Sequence, residues 1–415
     1  MAVLTLNILD RQIVNVLAEQ IKRELTLSDT QLGLLTGLSF ALFHTMLSIP
    51  FGRLADNVKS NRVTIVSLAL AFWSGMTALC GLAQTYWQLL LARIGVAVGE
   101  AGCVPPSHSL ISDTVPKSKR ASALAIFGLG VPIGALLGKA LGGQLADAYG
   151  WRSAFLIVGL PGVLLAVGLY FLVREPRKQM RAAAERESSG AGLQSFGSLG
   201  DALREIRRSR ALRYLISAIT AQQLLVTGGS VWGMIFFQRI HELSPGVAGL
   251  WIGLSGGIAG SFGTWLGGWL ADRYGSRNPF HLLSPAMFGM MFTVPFLLAA
   301  WASGNWIVAI VLLFLPDAFD NLYYGGSFAC LQSIVSPQYR ATATAALIFV
   351  MTLVGYGFGS LSFGIASDLL YPIAGDQSVR WVLMGAAVLY LVPAFLYWRA
   401  ATFAREEMSS GVEPA

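Results

Sequence analysis

Residues 52–56 read Gly52-Arg-Leu-Ala-Asp56, and near-copies close three later apolar runs: Gly143-Gln-Leu-Ala-Asp147, Gly268-Trp-Leu-Ala-Asp272 and Gly364-Ile-Ala-Ser-Asp368. Their aspartates stand 91, 125 and 96 residues apart. Self-similarity at such intervals predicts an internal repeat, and each interval has room for three apolar helices. Small glycines let helices approach closely, and an acid at the end of a span can cap or pair at the membrane edge. The spacing therefore parses the chain into four three-helix units.

Working outward from those words, the composition agrees. Of 415 residues, 54% are hydrophobic and 12% charged, with mean hydropathy +0.60. A soluble protein carries about 25% charged residues, and a spanning helix needs about 20 mostly apolar ones. Spans are predicted near 2–20, 33–51, 63–83, 87–112, 121–146 and 153–173, then 212–238, 246–271, 280–301, 305–335, 341–367 and 380–399. The widest interval holds residues 174–211, rich in Arg, Glu, Ser, Gly and Ala and too polar to span; a surface helix is expected around 199–210. The expectation is an all-α polytopic membrane protein of twelve transmembrane helices. It comprises an N-terminal six-helix bundle (1–173), a cytoplasmic linker (174–211), a C-terminal six-helix bundle (212–400) and a cytoplasmic tail (401–415).

Lys and Arg set the orientation. With both termini on one side, that side's loops hold 21 of the 29 basic residues, and the opposite loops hold five, Lys22, Arg23, Arg152, Arg239 and Arg380. Arg11, Arg93 and Lys139 fall inside helices. Both termini and the linker are expected in the cytoplasm, with the chain in the inner (plasma) membrane. The net charge of +7 reflects this topology, so nucleic acid is not expected as a partner. Cys80, Cys103 and Cys330 lie in apolar stretches without metal-ligand spacing and read as small hydrophobes. The apolar start runs straight into Asp10 and Arg11 with no small-residue cleavage pattern, so no cleavable signal is read there. Because the chain opens almost inside its first helix, either a short soluble leader ahead of it or a misassigned start codon is expected.

These words resemble a known superfamily. Gly52-Arg-Leu-Ala-Asp56 with Lys59 and Arg62 resembles the signature loop between helices two and three of major facilitator transporters. Gly268-Trp-Leu-Ala-Asp272-Arg-Tyr-Gly-Ser-Arg277 resembles its copy in the second half. Asn7-Ile-Leu-Asp10-Arg11, Arg93-Ile-Gly-Val-Ala-Val-Gly-Glu100-Ala101 and Arg174-Glu175-Pro176 resemble the spinster family of lipid transporters. The resemblance implies a monomeric secondary carrier working by alternating access, with two bundles about a midplane cavity. Its implied cargo is a lysolipid or sphingosine-1-phosphate-like molecule, coupled to protons. The Gly-rich run from Gly128 to Gly143, with Pro132, loosely resembles the Gly-Pro motif of superfamily antiporters and points toward exchange. Lys139 within it can instead snorkel.

The charges inside spans carry the chemistry. A charge at the bilayer centre costs about 2.5–3.5 kcal/mol by insertion scales. Helical spacing puts Asn7, Asp10, Arg11 and Val14 on one face, and Arg93, Ala97 and Glu100 on another. Since the resemblance implies that helices one and four line the cavity, two acids and two bases converge there. Glu100 is expected as the proton-coupling group with Asp10 second, and Arg11 and Arg93 as the binders of an anionic head group. A structural ion-pair lock between helices one and four is the competing reading. Asn7 in helix one, Gln222, Gln223 and Thr227 in helix seven, and Asp320 and Tyr324 in helix ten are the further candidate substrate contacts. Beside the last two, Asp317 and Asn321 complete a polar face that a packing network would also explain.

At the cytoplasmic ends Asp56, Arg62, Asp113, Asp272 and Arg277 are expected to form gating pairs between helices, although helix capping would use the same residues. His44 and His108 read as satisfied polar groups. Trp73, Trp232, Trp251, Trp265, Phe236, Phe237 and Tyr323 read mainly as packing or belt residues. No Walker A, Gly-x-Ser-x-Gly or His-Glu-x-x-His pattern occurs, so neither ATP hydrolysis nor an enzyme is expected, and no cofactor or metal. The leading expectation is a proton-coupled carrier of an amphipathic anion. A proton-coupled exporter of drugs or small organic metabolites stands beside it, and an uncoupled scramblase or channel and an intramembrane enzyme are the rivals from other classes.

Overall fold

The computed structural model describes residues 1–56, 60–116, 119–173, 175–176, 199–275, 278–336 and 339–409. The described residues form helices and no strand. In hydrocarbon every backbone donor needs an internal partner, and a helix supplies one within its own segment. Eight helical segments are long and apolar enough to cross a membrane. Two of these are double. Ile126–Leu172 bends at Gly150, whose φ of 78° lies in the region that favours glycine, and Thr342–Met408 turns at Gly375 with φ 55°. Two further rods, Ala2–Leu25 and Arg210–Arg239, complete twelve spans among the described residues. Both are less apolar because they carry Asn7, Asp10, Arg11 and Gln222, Gln223, Thr227.

Several spans are interrupted. Span two runs as Asp29–Gly33, a π-turn at Leu34–Leu38, and Ser39–Asp56. Span four breaks between Tyr86–Ala101 and Val104–Thr114, where Pro105 and Pro106 supply no N–H. Span ten carries Pro316 and breaks between Trp306–Asp320 and Tyr323–Ile334. Span eleven has a second π-turn at Met351–Tyr356. Such turns concentrate at functional sites. The surface helix expected in the linker is Leu199–Arg208, and helix Leu391–Ser409 carries span twelve beyond residue 400.

The chain divides into two compact units. The first is Met1–Leu193 with Leu243–Gly253, and the second is Gln194–Glu242 with Leu254–Ala415. Within the first, Gly130, Gly134, Gly138 and Gly142 lie every fourth residue along span five and meet span one. A Cβ at Gly134 would stand 2.5 Å from the Thr5 carbonyl oxygen, and one at Gly138 2.8 Å from that of Leu9. Only glycine permits this approach of two backbones. Large apolar side chains such as Leu164, Phe171 and Ile373 point outward. A surface this apolar suits lipid rather than water. Cys80, Cys103 and Cys330 are buried free thiols.

Candidate transport site

Span one delivers Asp10 and Arg11 side by side into the first unit, and three other spans answer them. Arg11 Nε donates to Glu100 Oε2 at 2.6 Å, and its Nη2 lies 2.9 Å from His44 Nε2. The ring of Phe40 lies under both arginines, 4.7 Å from the Arg11 guanidinium carbon and 5.4 Å from that of Arg93. Phe40 also stacks on His44. Asp10 Oδ2 accepts from Thr77 Oγ1 at 3.2 Å, and Arg93 Nη1 donates to the Asp10 carbonyl oxygen at 3.4 Å. Cation–π contact in a desolvated setting adds about 2 kcal/mol.

Exposure separates the roles. Asp10, Arg93, Glu100 and Asn7 are buried, whereas the Arg11 side chain keeps 18% of its surface open. Each acid is half-satisfied, because Glu100 Oε1 and Asp10 Oδ1 are sealed from solvent without a hydrogen-bond partner. The Asn7 amide is buried beside Glu100. The cluster thus holds two cations, two acids and one open oxygen on each acid. That arrangement can exchange a carboxylate for an external anion at Arg11 and place a proton on the acid left behind. His44 and Thr77, which the sequence did not single out as site residues, belong to it. Their signal was a polar residue inside an apolar run, too common to select them.

The second unit gathers Gln222, Asp320 and two tyrosines. Gln222 Nε2 donates to the Asp320 carbonyl oxygen at 2.6 Å, where span ten breaks, and Tyr397 OH donates to Gln222 Oε1 at 2.6 Å. Tyr390 OH donates to Asp320 Oδ2 at 3.2 Å. Gln223 Nε2 donates to Thr227 Oγ1 one turn on, at 3.1 Å. Tyr324 is exposed and packs against Tyr323 and Phe328. Asn321 Nδ2 donates to the Asp317 carbonyl oxygen at 2.8 Å. Among the aromatics, Trp73, Trp232, Phe236 and Phe237 are fully buried while Trp251 and Trp265 are exposed.

The repeat acids meet different fates. Arg62 is wholly buried and donates from Nη1 to Asp113 at 2.6 Å and from Nη2 to Glu175 at 2.5 Å. Glu175 Oε2 also accepts from the Arg62 backbone N–H at 2.6 Å. Asp147 Oδ2 accepts from Ser244 Oγ at 2.6 Å and from the Gly246 N–H at 3.0 Å, capping helix Pro245–Gly275. Asp272 is exposed without an ion pair among the described residues. The Asp56 side chain and Arg277 lie outside the described residues. Nothing in the sequence around Arg62 points to Glu175, because a partner 113 positions away leaves no local trace.

Comparison with known proteins agrees with this architecture. A family model described as Major Facilitator Superfamily matches residues 1–360. A protein described as an MFS-type efflux pump from Mycolicibacterium smegmatis is 32% identical over 407 residues, 97% of this chain and 91% of the relative. Protein spinster homolog 1 from Homo sapiens is 28% identical over 384 residues, 88% of this chain and 71% of that protein. The crystal structure of a bacterial homolog of the human lysosomal transporter Spinster, inward-facing and unoccupied, superposes with TM-score 0.86 at 28% identity. It covers 100% of this chain and 97% of its own.

Proposed function

The chain belongs to the major facilitator superfamily, and on that premise we propose that it is a proton-coupled carrier of an amphipathic anion, a lysolipid-like molecule, working by alternating access. It is a multi-pass membrane transporter and not an enzyme, as its relatives are. The observation that carries the reading is the Arg11–Glu100 pair. Arg11 is the member of the charge cluster with open surface, and it holds a buried acid with one unoccupied oxygen. An anionic head group arriving at Arg11 competes for the nitrogen that binds Glu100. Once released, Glu100 is a carboxylate buried without its partner, which favours uptake of a proton. Return of Arg11 to Glu100 expels both. Arg93, sealed beneath Asp10, balances charge through the exchange instead of meeting the cargo.

Similarity to spinster proteins supports a lipid-like cargo, and a single partly open arginine suits a single head group. A second reading, export of drugs or small metabolites, draws on the efflux-pump relative at 32% identity. On either reading the protein works as a monomer in the inner membrane with both termini cytoplasmic, the orientation favoured by 21 basic residues against five. The test is flux of a labelled lysolipid into proteoliposomes with and without a pH gradient, for wild type and Glu100→Gln. Gradient-driven flux that falls at least tenfold in the variant is expected. Equal flux in the variant would remove Glu100 from the mechanism. A folded wild type that moves ethidium but no lysolipid would favour export.

A further inference from the structure

The second unit holds a buried acid that the Arg11–Glu100 exchange does not use. Asp320 ends helix Trp306–Asp320, at the break in span ten. Its Oδ2 accepts the Tyr390 hydroxyl, and its Oδ1 is sealed from solvent with no hydrogen-bond partner. The titratable groups facing it are Asp317 and Tyr323 from span ten and Tyr390 and Tyr397 from span twelve. Span seven contributes the neutral Gln222, tied to the backbone carbonyl of Asp320. Span eight meets this face with Gly256 beside the Asp317 carboxyl and Gly260 beside the Asn321 amide, neither of which carries a side chain. Among the described residues no lysine, arginine or histidine forms an ion pair with Asp320.

That environment differs in kind from the first site. Asp10 and Glu100 have Arg11 and Arg93 at hand. Asp320 has a neighbouring acid and three phenols. An ionised carboxylate buried without a cation costs far more than one tyrosine hydrogen bond returns. Oδ1 receives no hydrogen bond from any described donor, the contact that an ionised carboxylate needs far more than a neutral carboxyl does.

We propose that Asp320 is a second proton-binding site, carried by the C-terminal unit and distinct from Glu100. In the described conformation the proton sits on Oδ1, and Oδ2 remains the acceptor for Tyr390, as its geometry requires. Loading transfers a proton from hydronium to Oδ1 and leaves water; unloading returns the proton to a water molecule that reaches Oδ1 when the packing of spans seven, ten and twelve loosens. Tyr390 is a positioning residue that keeps Oδ2 engaged, and Gln222 with Tyr397 fixes the backbone from which Asp320 hangs. The assignment does not depend on Glu100 being the coupling group.

The experiment is infrared difference spectroscopy of the purified full-length protein in liposomes, titrated with pH in sodium and in choline buffers. Wild type is expected to show a protonated-carboxyl C=O band that Asp320→Asn removes, and that Glu100→Gln and Asp10→Asn leave in place. Asp320→Glu is expected to retain the band at a shifted frequency, which separates loss of the acid from loss of the fold. Tyr390→Phe is expected to shift both its frequency and its titration midpoint. An Asp320→Asn protein with native circular dichroism and an unchanged set of bands overturns the proposal. So does a band that sodium abolishes and choline does not, since the ligand is then a metal cation. Loss of a band in Glu100→Gln alone would speak to the first site and leave Asp320 refuted as a protonated acid.

Discussion

Arg62 shows how much one residue can hold. It is wholly buried, its fork reaching Asp113 and Glu175 while its own backbone N–H binds the same glutamate. Removing one partner of a buried ion pair costs about 3–5 kcal/mol, because the other charge is stranded. Arg62→Ala is therefore expected to lower the thermal midpoint in detergent sharply. Arg62→Ala with Glu175→Ala should recover part of the loss, and a purely additive pair would mean that no coupling exists. His241, in the turn after span seven, makes a pH argument. Burial beside Phe236 and Phe237, and then the charge of Arg380, hold its imidazole below the usual range. The folded chain thus binds this proton more weakly than the unfolded chain. The stabilisation is complete above about pH 6.5, the unfolded value, and is lost as pH falls through the folded value. Thermal midpoints measured from pH 7.5 to pH 5.5 should fall less for His241→Gln than for wild type. Equal falls would clear His241 of the effect.

At the scale of elements, the interruptions carry the information. Pro105, Pro106 and Pro316 stand close to the breaks in spans four and ten, yet the sequence reading ran spans 87–112 and 305–335 through them, because a proline inside an apolar run kinks a membrane helix as readily as it ends one. The π-turns at Leu34–Leu38 and Met351–Tyr356 were not legible either, because no residue type requires one; each depends on the packing of neighbours. The Gly-rich run of span five was read as loosely like an antiporter motif that points toward exchange, and in the structure its glycines seat span one. Gly134→Val would drive a Cβ and two methyls toward the Thr5 carbonyl. Overpacking of this kind costs about 1–3 kcal/mol. A lower thermal midpoint with reduced flux is expected, and an unchanged midpoint would show that the two helices can separate freely.

For the whole molecule, the repeated Gly-x-Leu-Ala-Asp word and the hydropathy were enough to count twelve spans and to find the six-plus-six order. Charge placement inside apolar helices, together with the family resemblance, put Asp10, Arg11, Arg93 and Glu100 forward. Their pairing was not legible: helical spacing gives the face of each residue, but Arg11 chose Glu100 and His44 through tertiary approach of three spans. The same holds for Gln222, chosen as a cargo contact, whose amide is spent on Tyr397 and the Asp320 carbonyl. Polar residues in apolar runs announce a site; distance decides what they do there.

The glycine ladder makes spans one and five a fixed jaw. With span one bedded on glycines at four successive levels, three of them against its backbone and Gly142 against the Ile13 side chain, a swivel of span one would lift it off all of them together. Asp10 and Arg11 are thereby held still. The members facing them are mounted on the elements with joints: Phe40 and His44 follow the π-turn at Leu34–Leu38, and Glu100 stands next to the break at Gly102–Cys103. The exchange proposed for Arg11 and Glu100 would then put the anvil on span one and the moving jaw on spans two and four.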